Sequence, residues 1–312
     1  MALRQSQRIL LAKAESSYGT DPTPTGSANS ILCRSIDLTP LSATQVSRDL
    51  VRGYMGNYET ILADQHVMVT FEVEMAASGT AGTAPAFSNL LLSCGTAITT
   101  VSGTSNTYAP ISASFPSSTL WFYLDGQRHQ IRGARGSFSI SAEVSNIPVI
   151  SFTFTGIYVA PGASSNPTPT YQNQASPVIF NKDNTTAFQF HSYAAALQSF
   201  SYDNANQVTY RELVQGTKEV LITERAPSGS VTIEAPPLGT KDYFAIANTS
   251  GSTGNLTFQH GQVAGNRVTL TLGQTDIQEP TYSDSDGVAM LNMNYNAIPT
   301  TAGNNEFSLK FH

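Results

Sequence analysis

The chain has 312 residues, which is long for one domain and favours two units that each bury a core. Only 12% of the residues are charged, and the formal charge of −6 argues against a clustered basic surface that would grip nucleic acid. Ser, Thr, Asn, Gly and Pro are frequent, as is typical of short strands joined by turns. We therefore predict an all-β fold class with short flanking helices.

The N-terminal region is too polar for a signal peptide, because Lys13 and Glu15 end the apolar run at residues 9–12. A possible helical turn at this end is followed by a loop at 19–26. We expect the protein to be made and folded in the cytoplasm. The two cysteines, Cys33 and Cys94, cannot form a disulfide framework, and reduced thiols are favoured over a single bridge.

The first predicted strand spans residues 31–38 and ends at Pro40. A second strand begins at residue 45 and leads into a loop, and a return strand covers 67–75. In that return strand, apolar residues alternate with Thr70, Glu72 and Glu74. This alternation predicts an antiparallel strand that is buried on one side only.

A short amphipathic helix follows, because Phe87, Leu90, Leu91 and Cys94 recur at helical spacing before Gly95. Further strands are predicted at 120–124, 131–132, 137–144 and 149–159. In the strand at 137–144, apolar residues alternate with Ser139, Ser141 and Glu143, which gives one face of polar groups.

Residues 161–177 lack periodicity and are rich in Pro, Ser and Asn, which indicates a linker. It divides the chain into a first domain of 1–160 and a second of 178–312. The second domain is predicted to contain a strand at 197–202, a long hairpin over 211–232, a helix at 241–247 and strands at 256–259, 268–272, 290–295 and 307–311.

The long hairpin occurs twice in the sequence. Residues 45–53 match 207–216, and residues 69–75 match 230–235. Arg48 and Arg211 are 163 positions apart, and Glu72 and Glu234 are 162 apart. The nearly constant offset indicates one duplicated supersecondary unit.

The sequence offers no pattern for catalysis or metal binding. The five histidines His66, His129, His191, His260 and His312 are isolated from one another and from Cys-x-x-Cys spacing. Residues 284–287 read DSDG and resemble part of a calcium loop, but the later glutamate is missing and an acidic hairpin turn is favoured. We predict that the protein is not an enzyme and has no catalytic, cofactor-binding or metal site.

One local basic cluster comprises Arg128, His129, Arg132 and Arg135. It could meet phosphates, a carboxylate patch on a neighbouring subunit, or solvent. The repeated charged pairs at 48–49 and 211–212 could lie either in an interface or on a solvated strand edge.

Five segments together resemble a known family: AESSYGTDP at 14–22, RDLV at 48–51, FEVE at 71–74, SGTAGTAP at 78–85 and FTFTG at 152–156. In this order they are similar to the major tail tube proteins of long-tailed bacteriophages, particularly siphophages with Mu-like structural genes. The resemblance covers most of the first unit, and the second unit joins it through the internal repeat.

The resemblance implies two tandem tail-tube-type β-sandwich domains, whose inner sheets join around a ring into a shared β-barrel. The barrel would enclose a channel for DNA ejection, and rings would stack through hairpin loops and terminal arms. Loops 52–66 and, by the repeat, 215–229 carry over as ring-to-ring contacts. Family tubes have six tube folds per ring, so a trimer with pseudo-sixfold symmetry is favoured over a hexamer whose second unit decorates the outside.

The implied partners are further copies of the chain, the tape measure protein, the tail terminator and the distal tail proteins. Genomic DNA would pass in transit without sequence-specific binding, and no membrane is involved. The implied location is the virion tail, assembled in the host cytoplasm.

A channel for a polyanion should be weakly repulsive, because basic walls would bind phosphates and stall ejection. The lumen-facing candidates are polar strand residues: Thr70, Glu72, Glu74, Ser139, Ser141, Glu143, Thr232, Glu234, Thr269 and Thr271. The candidates for contacts between rings or subunits are charged and aromatic: Arg48, Asp49, Arg52, Tyr54, Tyr58, Arg128, Arg132, Arg211, Glu212, Lys218 and Glu219.

The main alternative is a secreted β-sandwich adhesin or carbohydrate-binding module, which the Ser/Thr/Asn richness and the sequon at Asn255 would permit. The missing signal peptide and the single Trp121 argue against it, since sugar platforms favour exposed aromatic residues. A hydrolase on the same sandwich lacks a close pair of acids.

Overall fold

The computed structural model describes residues 3–312. The fold is all-β, with 51% strand and 4% helix, and its large antiparallel sheets do not close into a barrel within the described chain. The elements of the first half are β1 Arg8–Ala14, β2 Ser30–Ile31, β3 Ser35–Ser47, β4 Thr60–Glu74, α1 Ser88–Ser93, β5 Thr96–Val101, β6 Ser105–Pro110, β7 Ser118–Leu124, β8 Gln127–Glu143, β9 Val149–Tyr158 and β10 Gly162–Ala163. Those of the second half are β11 Ala187–Phe190, β12 Leu197–Asp203, β13 Asn206–Arg211, β14 Glu219–Arg225, β15 Ser228–Glu234, α2 Tyr243–Asn248, β16 Thr253–His260, β17 Val268–Ser285, β18 Val288–Ala297 and β19 Ser308–Phe311.

An antiparallel sheet of eight strands runs through both halves of the chain, and we call it the inner sheet. Its order is β3-β4-β9-β8-β12-β15-β18-β17. The halves meet where β8 pairs with β12, from Ser199 opposite Glu143 to Asp203 opposite Ser139. The two halves therefore share one continuous sheet.

The second layer is built from strands that pack on the apolar side of the inner sheet. The long strands β8 and β17 both belong to two layers: their first parts pair with β7 and β16, and their last parts pair with β9 and β18. Strand β1 pairs with β7, and β11 pairs with β16. Strand β19 lies between β17 and β6 and so joins the second layers of the two halves.

The order of strands repeats between the halves. Strands β1, β3, β4, β7, β8 and β9 correspond to β11, β12, β15, β16, β17 and β18 in their pairing. In the second half the long hairpin is divided, because β12 continues as β13 and the return strand as β14 and β15. The β5–β6 hairpin and β19 occur once each.

The core is aromatic and spans the junction of the halves. Phe138 is 1% exposed and lies between Phe152 of its own half and Tyr202 and Phe307 of the other. Helix α1 buries Leu90 and Leu91. The predicted short helices are confirmed, and both cysteines are free.

Several predicted elements differ from the observed ones. The N-terminal turn is wrong: residues 8–14 form β1, which buries Leu10 and Leu11 against β7. Pro40 does not end a strand, because it lies within a register shift between Thr39 and Ser42 at the outer edge of β3, where its missing N–H breaks no ladder bond within the chain. Strands β5, β6 and β11 were not predicted, and β17 extends to Ser285.

Candidate assembly surfaces

The side of the inner sheet that faces away from the core carries mostly polar side chains, with Met68, Val149 and Met290 among them. One row crosses seven strands, and all but one of its residues are polar: Glu74, Val149, Ser141, Ser201, Ser230, Asn294 and Gln278. Because successive side chains of a strand point to opposite faces, each row of this kind repeats two residues along. Ser201 and Ser230 share a hydrogen bond of 2.7 Å within the row.

The charges on this polar face are mostly acidic. Its carboxylates belong to Asp37, Glu72, Glu74, Glu143, Asp203 and Glu234. Lysine is absent from all eight strands, and arginine occurs only in the first part of β8 and at Arg135. The face can therefore repel a polyanion weakly without holding its phosphates.

Eight of the ten residues predicted to face the lumen lie on this polar face. Thr269 and Thr271 do not, because they lie in the part of β17 that pairs with β16 and β19 in the second layer. Ser201, Ser230 and Asn294 also lie on this face, as the alternation of small polar residues along β12, β15 and β18 indicates.

The inner sheet ends in two open edges. Among residues 3–312, no strand pairs with the outer side of β3, and residues 277–285 of β17 pair only with β18. Tyr282 lies opposite Leu291 as Phe138 lies opposite Phe152, so the two aromatic residues occupy corresponding positions. Phe138 is covered by β12, whereas Tyr282 is 60% exposed and contacts Phe244 of α2.

The β3–β4 hairpin projects beyond the sheet and ends in a loop at residues 48–59, so the predicted loop 52–66 was placed too late in the chain. Arg48 pairs with Glu59, and the Arg52 guanidinium stacks over Tyr54 and Tyr58 at 4.6 Å and 4.0 Å. Asp49 accepts a hydrogen bond of 2.6 Å from Ser47. The tip exposes apolar side chains fully, with Val51 and Met55 at about 100%.

The corresponding loop of the second half joins β13 and β14 at residues 212–218, not 215–229 as predicted. Glu212 accepts hydrogen bonds from Lys218 and Tyr210, and both bonds lower the pKa of its carboxyl. Arg211 lies opposite Glu219 across the hairpin. The four predicted contact residues of this hairpin are thus brought together at its tip.

The predicted basic cluster does not form a single patch. Arg128 stacks over Trp121 at 4.3 Å, and Arg132 pairs with Asp21 at 3.7 Å. Arg135 instead donates hydrogen bonds to the carbonyl oxygens of Phe115, Pro116 and Val220.

The histidines are dispersed, and the most buried of them serve packing. His191 bonds to Thr275 at 3.1 Å, and burial together with Lys241 lowers its pKa to about 4. Asp284 and Ser285 end β17, and Asp286 and Gly287 form the turn to β18, in agreement with the predicted acidic hairpin turn. Within residues 3–312 no three His, Cys, Asp or Glu side chains converge as a metal site, and neither helix is long enough to span a membrane.

Comparison with known proteins gives one family. A family model described as phage tail tube protein matches residues 5–297, which is nearly the whole chain. No curated protein matches the sequence.

Proposed function

The chain belongs to the phage tail tube protein family and is a structural protein of the virion tail, and we propose that it assembles into stacked rings that form the conduit for genome ejection. The residues divide into a first tube domain at 1–160, a linker at 161–177 and a second tube domain at 178–312. Support comes from the repeated strand order and from a linker that bonds to the first half through its own backbone, as Thr170 does to Gly26. Membership of this family favours a structural tube protein over a secreted adhesin.

The junction between β8 and β12 supports ring closure. Within the inner sheet, β8 is the end strand of the first half and β12 is the end strand of the second half that pairs with it. The strands that correspond to them, β17 and β3, stand open at the two edges. An open edge presents unpaired N–H and C=O groups and invites pairing with another chain. We therefore pair β17 of one chain with β3 of its neighbour, antiparallel, with Ser285 opposite Thr39 as Ser141 lies opposite Ser201.

A ring of three chains follows from this pairing and from the six folds per ring that the family resemblance implies. Each chain supplies two folds and one shared sheet, so three chains close the barrel without an unpaired edge. The hexamer with an outer second domain fits less well, because the second half shares its inner sheet with the first.

The polar face would line the channel. It is acidic and smooth, as a conduit for a polyanion requires, and the opposite face of the sheet is already occupied by the core. The lumen-facing residues in this proposal are Thr70, Glu72, Glu74, Ser139, Ser141, Glu143, Thr232 and Glu234. DNA would pass without sequence-specific contacts, and the tube would meet the tape measure, terminator and distal tail proteins.

The test is to purify the protein, image it in negative stain and measure the mass of single rings. We expect rings or tubes, with ring mass three times the 33.3 kDa chain mass. In the double variant Thr39→Cys with Ser285→Cys, oxidation should yield covalently linked trimers, and each single variant is the control. A monomer that never assembles would contradict the proposal, and sixfold ring mass would contradict the trimer.

A further inference from the structure

The two long hairpins of the chain have the same sequence origin but different surroundings. We call residues 41–47 and 60–66, the outer parts of β3 and β4, the first arm, and β13 with β14 the second arm. Val46 lies opposite Ile61 in the first arm, as Val208 lies opposite Ile222 in the second. Ile222 is only 9% exposed, whereas Ile61 is 57% exposed. One isoleucine is therefore covered, and its counterpart is open.

The second arm is covered because it docks on the first half of its own chain. Val220 is fully buried, and its N–H donates to the Tyr18 hydroxyl at 2.5 Å while its carbonyl accepts from Arg135 at 2.7 Å. Ile222 reaches the end of α1, since a methyl group added at Gly95 would lie 3.4 Å from its Cδ1. The docking surface thus includes the end of α1 and the bulged part of β8, and Tyr210 of the second arm also stacks on His66, at the base of the first arm, at 5.2 Å.

The end of α1 also binds the base of the second arm. The carbonyl oxygen of Cys94, the C-terminal cap of α1, accepts hydrogen bonds from Asn204 at 3.3 Å and Asn206 at 2.7 Å. Asn206 also bonds to the carbonyl of Gly136 in β8 at 2.9 Å. Polar and apolar contacts therefore hold the arm at one place.

The second half has an unfilled cleft at the corresponding place. It lies between the end of α2, residues 247–251, and residues 276–279 of β17, with a volume of about 380 Å³. Strand β17 is bulged here, with a register shift after Gln278, as β8 is bulged after Arg132. Glu279 takes a positive φ of 41° at the bulge, as Gly133 does with 57°.

We propose that the first arm of one chain docks into this cleft on the second half of the neighbouring chain. The occupant is a second copy of the chain, because the second arm already shows how this hairpin fits beside the end of a helix and a bulged strand. This inference rests on the proposed ring, and it assigns the arm to contacts within a ring while leaving the loop tip for stacking.

The test uses disulfide trapping at the position that the docked arm predicts. Gly95, which Ile222 contacts, follows the cap of α1, and Ser250 follows the cap of α2. The double variant Ile61→Cys with Ser250→Cys should form covalent trimers on oxidation of assembled protein, and each single variant should not. The edge pair Thr39→Cys with Ser285→Cys is measured in parallel.

A second measurement compares two matched substitutions. Ile61→Ala should leave the unassembled chain as stable as the parent but raise the critical concentration for assembly about tenfold, as for a buried interface residue. Ile222→Ala should lower the urea midpoint of the unassembled chain. An edge pair that links while the arm pair does not, with normal assembly of Ile61→Ala, would overturn arm docking and leave the ring intact. Failure of both pairs with no rings would overturn the proposed function itself.

Discussion

The corresponding residues Phe138 and Tyr282 provide a sharp prediction about the open edge. Phe138 is 1% exposed and lies within 6.4 Å, centroid to centroid, of three aromatic rings, so truncation to alanine leaves a cavity that the packed core cannot fill. A buried Phe→Ala change costs about 3–5 kcal/mol. Tyr282 is 60% exposed, and its truncation should cost the unassembled chain less than about 1 kcal/mol.

The assay is urea unfolding of unassembled protein, followed by circular dichroism and by the fluorescence of the buried Trp121, together with the concentration dependence of assembly. Phe138→Ala should lower the unfolding midpoint strongly. Tyr282→Ala should keep the midpoint within error and weaken assembly, because Tyr282 becomes covered when a neighbour pairs with β17. Equal destabilisation by both changes would refute the correspondence of the two positions. Unchanged assembly of Tyr282→Ala would refute the proposal that a neighbouring chain covers this edge of β17.

Three further predictions follow from buried charge, pH and the channel wall. Arg225 and Glu306 form an ion pair at 2.7 Å, and their side chains are only 10% and 8% exposed. Removing one charge leaves the other buried and unpaired, so Glu306→Gln should lower the free energy of unfolding in urea by about 3–5 kcal/mol. The double variant Arg225→Met with Glu306→Leu should cost less than the sum of the two single changes, and additive costs would contradict the pair. Burial and, to a smaller extent, Lys241 lower the pKa of His191 to about 4, so between pH 6.5 and pH 4 the unfolded chain binds a proton that the folded chain does not. The free energy of unfolding should therefore fall by about 2 kcal/mol from pH 8 to pH 5 through this residue. The variant His191→Gln should lose that part of the pH dependence. Glu72→Lys with Glu234→Lys should make assembled tubes retain short duplex DNA at low salt and release it at high salt. The control is Asp183→Lys with Glu224→Lys, the same charge change at two exposed residues outside the inner sheet, which should not retain DNA. Equal retention by both variants would contradict the lumen assignment.

Much of the inner sheet could be predicted from the sequence because one of its faces is buried and the other is polar. The alternation in the return strand of the first hairpin is strict, since Phe71 and Val73 are fully buried and Thr70 points to the other face. The sequence also shows the repeat of the long hairpin, and the structure gives both copies the same pairing, with Val46 opposite Ile61 and Val208 opposite Ile222.

The second layer could not be predicted in the same way. Strand β1 reads ILLA without alternation, because it lies between β2 and β7 and both of its faces are buried. Strand β17 changes layers near its middle, so Thr269 and Thr271 keep the alternating pattern but lie on a different sheet from Ser283. Periodicity identifies the face of a strand but not the sheet to which the strand belongs.

The junction of β8 with β12 inside the chain and the proposed junction of β17 with β3 between chains differ in how tightly they can pair. The internal junction forms once during folding, and it is sealed by Phe138, Tyr202 and Phe307. Both open edges carry a proline within a register shift, Pro40 in β3 and Pro280 in β17. In the proposed pairing, Pro40 replaces Tyr202 and removes a donor from the ladder, so the edge between chains binds less strongly than the edge within a chain.

In the proposed ring, a weaker junction between chains gives the docked first arm a role. A chain whose open edges paired as tightly as β8 and β12 would associate before the tail is ready, and exposed edges of that kind lead to aggregation. The first arm, which exposes Ile61, would then add a second contact in the neighbour's cleft that engages together with the edge. Two linked contacts of modest strength would hold the proposed ring more firmly than the edge contact alone.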